Sequence, residues 1–232
     1  SKKYIPKGIE CEIKMISSIN SLTRFANSHI HQNVEEEVAD IYLTIHKNGK
    51  TITLNSNITS IESPKDFIDK ALVEAENSPD DEGWAGMPEA EDSYDGYKEI
   101  ESKKPEERAD KVQQFIEVGK DFNAAGYCST SVDNYFVWNT NGLESSDSTT
   151  SAFIDGIFRT DTSSGSSHRG AKSLEEIDSE SAGLEAFNLS HDSQNPEDID
   201  PGKYEVVLGP EAVSTILVFL GVYGFNAKSK IE

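Results

Sequence analysis

The sequence contains very little cysteine. Its only two cysteines among 232 residues are Cys11 and Cys128, which lie far apart and in no spacing typical of a metal site. This excludes a disulfide framework and a CxxC redox or zinc motif. We therefore expect a reducing, cytoplasmic environment. Residues 1–6 lack the apolar stretch of a secretory signal, which agrees with that expectation.

Basic residues are scarce as well. Lysine and arginine number 21 against 42 aspartates and glutamates, so the formal net charge is −21. Because phosphate recognition needs clustered basic side chains, the composition argues against direct binding to nucleic acid or to an anionic membrane. No apolar run approaches the roughly 20 residues of a transmembrane helix. The excess of acid suits a basic partner or a metal ion, although we expect most of it to be solvated surface.

Alternating apolar and polar residues predict a sheet. The dipeptide Asn48-Gly49 tolerates the positive φ angles of a type I′ turn, so a hairpin is expected there. Residues 161–170 are rich in serine and glycine and are interpreted as a loop. The predicted strands are residues 9–15, 21–32, 41–45, 52–54, 125–131, 134–140, 148–160 and 204–208.

Capping residues and helical periodicity predict four helices. Ser63 precedes a proline and should cap a helix that ends near Asn77, and a second helix should begin at Pro105. Ser173 and the glutamate three residues later fit a capping box for a third helix. Pro210 starts the fourth. These elements predict an α+β fold, with an antiparallel-rich sheet and helices.

Two changes in composition suggest how the chain is organised. Residues 79–101, the acidic connector, hold nine acidic residues and one basic residue, and Trp84 and Met87 should pin this segment to the surface. The Pro-bounded segment 194–202 is typical of a linker. We therefore expect an α+β domain over residues 1–200 and the beginning of a second, C-terminal domain at 201–232.

The predicted fourth helix is apolar almost all round over residues 212–225. Helices of that kind are normally buried. Its cover must come from the first domain, from another subunit or from a C-terminal domain that this chain lacks.

The sequence of the first domain suggests an internal repeat. Asn27-Ser28 and Asn139-Thr140, which are 112 residues apart, each lie between extended segments. Similar helix ends at residues 74–77 and 185–188 are 111 residues apart. The matching offsets predict a duplicated strand–strand–strand–helix unit.

The five histidines are the first candidates for chemistry. On a strand, His29 and His31 would point to one face, as metal ligands can, but no third ligand is close in sequence, so a solvated pair is favoured. His168 lies among serines without an orienting acid, which favours a flexible loop over a nucleophile and its base. His46 should be exposed, and His191 should follow the third helix.

Common catalytic motifs are absent from the sequence. It contains no Gly-rich phosphate loop, no GxSxG elbow and no HExxH. From these patterns we predict no catalytic, cofactor-binding or metal-binding residue.

Four segments in order resemble a known family: residues 22–32, the Asn48-Gly49 turn, residues 139–144 and residues 201–213. The chain is similar there to the TldD/PmbA family, whose members have been called modulators of DNA gyrase and microcin-processing proteases. The resemblance covers nearly the whole chain. It implies an N-terminal α+β domain, followed in family members by a mostly β domain.

In the TldD branch of that family, the helix after the fourth segment carries HExxxH, which binds the catalytic zinc together with a later cysteine. The corresponding positions here are Val218, Phe219 and Tyr223, none of which can ligate zinc or act as a general base. The resemblance therefore implies the PmbA-like (TldE-like) branch. This branch is a non-catalytic subunit that pairs with a TldD-like, zinc-containing, peptide-processing metalloprotease. No cofactor is expected in this chain.

Two other functions stay open. The chain could be an acidic interaction module, without any protease role, that binds a basic protein or a nucleic-acid enzyme, as the gyrase name suggests. A zinc peptidase active alone is disfavoured, because the ligands are missing. The sequence leaves undecided whether the chain is part of an enzyme, and it favours a hetero- or homodimer.

Overall fold

The structure, a computed structural model, describes residues 4–57 and 61–226. The chain divides into two units, Ser1–Pro196 and Glu197–Glu232, and the division falls inside the predicted linker. The second unit contains helix α4 (Pro210–Gly224). The first unit contains, in chain order, β1 (Glu10–Ala26), β2 (His29–Lys47), β3 (Lys50–Asn57), α1 (Pro64–Asn77), β4 (Asp95–Gly96), α2 (Pro105–Glu117), β5 (Asn123–Asn139), β6 (Glu144–Arg159), β7 (Ser164–Ala171) and α3 (Ser179–Asp192).

The strands of the first unit form one seven-stranded sheet. Its spatial order is β3-β2-β1-β5-β6, and both β4 and β7 pair with β6. All pairs are antiparallel except the short β4–β6 pair. The predicted α+β fold with an antiparallel-rich sheet is confirmed.

Two tight turns set the register of the first three strands. Asn27 and Ser28 join β1 to β2 with φ angles of 49° and 59°, and Asn48 and Gly49 join β2 to β3 with φ angles of 53° and 77°. Positive φ at both central residues gives the turn the twist that antiparallel strands need. The hairpin predicted at Asn48-Gly49 is confirmed.

Several predicted strand limits are wrong. The separate segments 9–15 and 21–32 are parts of a continuous β1 and the beginning of β2, and 125–131 and 134–140 are both parts of β5. β1 pairs along most of its length with both β2 and β5. The middle of each strand is polar and lacks the alternation of apolar and polar residues, but main-chain hydrogen bonds to the neighbouring strands keep it in the sheet.

The serine- and glycine-rich residues 161–170 were expected to form a loop, and this is wrong for most of them because β7 begins at Ser164. Small residues are needed there because α3 packs closely on the strand. A Cβ atom at Gly165 would lie 2.3 Å from the carbonyl oxygen of Ala186. The strand predicted at 204–208 is also wrong, since those residues lie outside helices and strands and have no pairing strand among the described residues.

All three helices of the first unit lie on one face of the sheet. Ile13 belongs to the cluster under α1, and Phe25 belongs to the cluster under α2 and α3. The β1–β5 register has no shift between them, and they are an even number of residues apart, so both side chains point to the same face. We call this the helix face and the opposite side the open face.

The helix starts are partly as predicted. Ser63 caps α1, since its hydroxyl accepts a hydrogen bond from the Asp66 amide, and α2 begins at Pro105. Ser173 does not cap a long helix. It precedes a single 3₁₀ turn, and α3 begins later with Asp178 as its cap. The serine hydroxyl bonds to the Glu176 carboxylate instead of to a backbone amide.

The predicted duplicated order is present. β1-β2-β3-α1 and β5-β6-β7-α3 follow the same sequence of elements, and their first strands are neighbours at the centre of the sheet. Both helices lie on the helix face. The second copy differs in being preceded by α2.

Candidate functional site

The acidic connector (79–101) is fixed to the sheet near its beginning. The ring of Trp84 stacks on the ring of His46 at a centroid distance of 4.7 Å, and its Nε1 donates a hydrogen bond of 2.8 Å to Glu10 Oε2. His46 Nδ1 also lies 2.9 Å from Thr51 Oγ1. The predicted anchoring through Trp84 is therefore confirmed. The expectation that His46 is exposed is wrong, because the tryptophan covers one side of its ring.

The middle of the connector is held by two asparagines of the β5–β6 turn. Asn139 is fully buried and donates to the Pro88 carbonyl at 2.8 Å, and Asn141 donates to the Met87 carbonyl at 3.1 Å. The Asn139 side-chain oxygen also accepts from the amides of Asn141 and Leu143. One amide side chain thus shapes the turn and holds the connector, and Met87, which was predicted to pin this segment, is buried.

Beyond this point the connector forms one wall of a groove on the helix face. As β4, it pairs Asp95 with Ser146, and the ring of Tyr97 lies 5.5 Å from that of Phe136. The groove encloses about 570 Å³ and has no helix among its lining elements. Its floor and rim, called here the aromatic groove, are formed mainly by Ile13, Met15, Asp95, Tyr97, Phe136, Trp138 and Glu144.

The aromatic groove combines ring faces with two carboxylates, a set that suits a cationic group. Sequence reasoning did not single out these residues. Their one signal was a tyrosine-containing acidic segment that precedes an aromatic strand in the chain. Only the parallel β4–β6 pairing brings Tyr97 to Phe136.

A fully buried arginine lies beneath the other end of the connector. Arg108 of α2 donates from Nε to Thr23 Oγ1 at 3.3 Å and from a terminal nitrogen to the Lys103 carbonyl at 2.6 Å. Burial lowers the pKa of this guanidinium from its ordinary value, partly offset by the thiol of Cys128 and the carboxylate of Glu35. Arg108 shares the buried stripe of α2 with Val112, Phe115 and Ile116, so helical spacing could have identified it.

Next to this arginine, a carboxylate on β2 links the sheet to Ser102, which lies between the connector and α2. Glu35 Oε2 accepts hydrogen bonds from Ser21 Oγ at 2.9 Å and from Ser102 Oγ at 3.2 Å. The polar contacts of Arg108 and Glu35 fix the segment that enters α2. Arg108 has no solvent-exposed surface, so we assign these contacts a structural role.

His29 and His31 are exposed at the beginning of β2. A bulge opposite Arg24 and Phe25 leaves His31 without a paired residue in β1, so the regular alternation is interrupted between the two rings. His29 Nδ1 lies 2.6 Å from the Asn27 carbonyl oxygen. Across residues 4–57 and 61–226, no three histidine, cysteine, aspartate or glutamate side chains are grouped to hold a metal ion.

His168 lies on β7, and the expectation of a flexible loop without an orienting acid is wrong. On the open face its Nδ1 is 3.4 Å from a carboxylate oxygen of Asp155, and its ring stacks on Phe153 at 5.7 Å. Within the described part of the chain, no serine hydroxyl is hydrogen-bonded to this ring. The arrangement provides an acid–histidine pair without a positioned nucleophile.

His191 lies in the last turn of α3, not after it as predicted. Its Nδ1 is 3.0 Å from the Asp192 carboxylate, and both side chains are exposed. A histidine there also interacts favourably with the helix C-terminus when it is protonated. The contact is that of a surface pair.

The two cysteines are buried and free. Cys11 lies in the α1 cluster and Cys128 in the α2–α3 cluster. Burial raises the pKa of Cys11 to about 12, with a smaller contribution from Glu12, and burial raises that of Cys128 to about 11. Both thiols are therefore protonated near neutral pH and are poor nucleophiles.

The second unit carries the helix in which the resemblance would place a zinc motif. α4 begins at Pro210 as predicted, and Val218, Phe219 and Tyr223 all lie on it. These side chains offer no ligand for zinc, so the residues present do not fit the metal.

No helix in the described ranges has both the length and the apolar character needed to cross a membrane.

Comparison with known proteins identifies the fold. No protein-family profile and no curated protein matches the chain. Solved structures do match. TldE from Thermococcus kodakarensis has a TM-score of 0.62 at 18% identity, over 81% of this chain and 44% of its own.

Two further structures are described as candidate modulators of DNA gyrase. The protein from Thermotoga maritima has a TM-score of 0.62 at 19% identity, over 84% of this chain and 47% of its own. The protein from Bacteroides thetaiotaomicron has a TM-score of 0.71 at 13% identity, over 90% of this chain and 51% of its own. The chain thus has the fold seen in TldE and in gyrase-modulator-like proteins, and it spans about half their length. The resemblance found in the sequence is confirmed at the level of the fold.

Proposed function

We propose that this chain belongs to a non-catalytic, PmbA/TldE-like subunit that pairs with a TldD-like zinc metalloprotease in the cytoplasm. The observation that carries the proposal is the fold shared with TldE over 81% of the chain. The α4 positions without metal ligands support the non-catalytic role. The zinc then belongs to the partner, and the peptide substrate is presented to it by both subunits.

The sheet supports a role in holding an extended chain. β3 lies at one edge, and β7 with the connector lies along the other. Adding a peptide strand to a sheet edge uses main-chain hydrogen bonds and tolerates many sequences. A subunit of this form can contribute to a peptide channel without supplying a catalytic group.

The test uses the full-length protein that contains this chain and a TldD-like protein with HExxxH from the same organism. We expect the two proteins to co-elute as one complex. Peptides should be hydrolysed by the mixture and not by either protein alone. After dialysis, about one zinc should remain per TldD-like subunit and none with this chain. Tightly bound zinc or peptidase activity in the full-length protein alone would contradict the proposal.

The proposal also predicts a cover for α4. Phe219, Leu220 and Val222 are 58%, 45% and 58% exposed in this chain. At roughly 25 cal/mol per Å² of apolar surface, leaving several such side chains in water costs several kcal/mol. Hydrogen exchange should therefore be slow over residues 216–225 in the assembled full-length protein. Rapid exchange there would contradict a buried interface.

An acidic interaction module is the second candidate. The net charge of −21 favours it, since such a surface attracts basic proteins. Ionic strength separates the two functions. A charge-driven complex should weaken steeply between low and high salt, whereas a largely apolar subunit interface should not.

A further inference from the structure

We propose that the aromatic groove binds the side chain of an arginine or lysine within an extended basic peptide. This inference deepens the proposed function, on which it rests for the peptide as ligand. It concerns a different part of the molecule from α4 and can be tested without a partner subunit.

The aromatic groove lies between the two core clusters of the helix face. The clusters under α1 and under α2 and α3 lie at two ends of the helix face, and none of the residues that line the groove belongs to a helix. The connector forms its wall, and β1 and β5 form its floor. At about 570 Å³, the space admits a long side chain together with its flanking backbone.

The lining of the groove is aromatic. Tyr97 and Phe136 form a tilted pair, with 47% and 37% of their surfaces exposed. Trp138 packs partly buried at the edge of the α1 cluster. Exposed ring faces attract cations through their quadrupoles, and arginine stacks on them especially well.

The charged groups that line the groove are acidic. Asp95 and Glu144 lie on the rim of the groove, and no lysine or arginine is among its described lining residues. Ser146 Oγ donates to Asp95 Oδ1 at 2.8 Å, which holds that carboxylate in place. A carboxylate next to ring faces favours a guanidinium or ammonium over a neutral or anionic group.

Hydrogen bonds to β6 and to its first residues hold the wall of the groove in place. The Ser146 amide donates to the Tyr94 carbonyl at 2.7 Å, and the Glu144 amide donates to Ser93 Oγ at 3.0 Å. Gly96 allows the close fit, since a Cβ there would lie 2.3 Å from the Tyr94 ring. A preformed site loses little conformational freedom on binding.

The two tryptophans of the sequence provide an internal control for the test. Trp138 lies in the groove, and Trp84 lies on His46 outside it. The probe is the blocked pentapeptide acetyl-Gly-Ser-Arg-Ser-Gly-amide, titrated into the ¹⁵N-labelled 232-residue chain. We expect a saturable shift of the Trp138 indole signal and none for Trp84. The same peptide with citrulline or glutamate in place of arginine should produce no such shift.

Variants separate a site from general attraction to an acidic surface. Asp95→Asn with Glu144→Gln should weaken binding about tenfold or more. The matched pair Asp161→Asn with Glu180→Gln removes the same charge elsewhere and should change binding less than about twofold. Tyr97→Leu should weaken binding about tenfold, and Tyr97→Phe should retain it.

Three outcomes would overturn the proposal. If the citrulline peptide binds as tightly as the arginine peptide, the groove recognises apolar surface and not charge. If the matched pair of variants weakens binding as much as the groove pair does, the attraction is that of a diffuse charge. If millimolar peptide produces no saturable shift, there is no site. Each variant is compared by its unchanged signals away from the groove, so a misfolded variant is recognised. None of these results affects pairing with a TldD-like subunit, so failure here is distinct from failure of the proposed function.

Discussion

The two halves of the sheet share an order of elements but are covered differently. α1 covers the Ile13 end of the first half, on an aliphatic cluster that includes Leu43 and Ile45. α2 and α3 cover the second half together with the Phe25 end of β1, and there Phe115 stacks on Phe158 at 5.3 Å and Phe122 lies 4.9 Å from Phe187. One extra helix closes the second core.

The difference explains where the aromatic groove lies. α2 precedes β5 and packs on the Phe25 end of the helix face, whereas no residue that lines the aromatic groove belongs to a helix. The acidic connector lies along that part of the helix face instead. One repeated unit thus yields a closed core in one copy and an open, acid-rimmed groove next to the other.

The largest expected effect tests the closed half. Phe158 is fully buried between Phe115 and Phe187. Phe158→Ala should lower the free energy of unfolding by about 3–5 kcal/mol, because it removes a buried ring and leaves a cavity. Chemical denaturation measures the loss. Phe153→Ala, on the open face, is the control and should cost much less, and equal losses would contradict a closed second core.

The next effect concerns a feature that only the second half has, its buried arginine. Arg108→Met should lower the free energy of unfolding by about 1–3 kcal/mol, because the Lys103 carbonyl loses its donor. Arg24→Met, which removes an exposed arginine, should change stability by no more than about 0.5 kcal/mol. Unchanged stability of the Arg108 variant in denaturant would show that the polar link adds nothing to packing.

The two halves need glycine for different reasons, close packing at Gly165 and a positive φ angle at Gly49. Gly165→Ala should cost about 1–3 kcal/mol because its Cβ meets the backbone of α3. Gly49→Ala should cost about 1–2 kcal/mol because Gly49 has a φ angle of +77°, which alanine adopts only with strain. An added Cβ atom would meet no other atom within 4 Å there, so a clash does not contribute. Thermal or chemical unfolding of the asparagine variants distinguishes the causes. Gly49→Asn should be more stable than Gly49→Ala, since asparagine tolerates positive φ. Gly165→Asn should be less stable than Gly165→Ala, since its side chain is larger. The reverse order at either position would contradict this assignment.

The smallest effect is expected from the thiols, one in each half. Their ordinary pKa is 9.0, and burial raises it to about 12 for Cys11 and about 11 for Cys128. Above pH 9 the unfolded chain loses thiol protons that the folded chain keeps, so stability falls as pH rises. At pH 9.5 the loss should be below about 1 kcal/mol per thiol.

Denaturation of the wild type and of Cys11→Ala with Cys128→Ala at pH 8 and pH 9.5 measures this loss. The double variant should show a flatter dependence on pH than the wild type. Equal slopes would show that the thiols titrate alike in the folded and unfolded chains.

Features that depend on a few neighbouring residues were predictable. The Asn48-Gly49 turn, the Ser63 cap and the starts of α2 and α4 were all predicted. Errors arose where longer-range contacts decide. β7 is rich in serine and glycine, and α3 packs closely against it at Gly165. A 3₁₀ turn follows Ser173, so Asp178 and not Ser173 is the cap of α3.

The candidate site was predicted only in part. The connector was recognised by its composition, and Trp84 and Met87 were recognised as its anchors. The aromatic groove was not, because Asp95 and Tyr97 reach β6 and Phe136 only through pairing with residues about 50 positions away. His168 was assigned to a loop for the same reason, since its partner Asp155 lies on the neighbouring strand.

The sequence by itself determined the acidic charge, the turn chemistry, the starts of α1, α2 and α4 and the repeated order of elements, because each depends on composition or on backbone preferences within a few residues. Tertiary structure decided the continuity of β1 and β5, the burial of Arg108 and the assembly of the aromatic groove. These depend on sheet register, which brings residues far apart in the chain onto one face. Local preference alone does not specify such pairings.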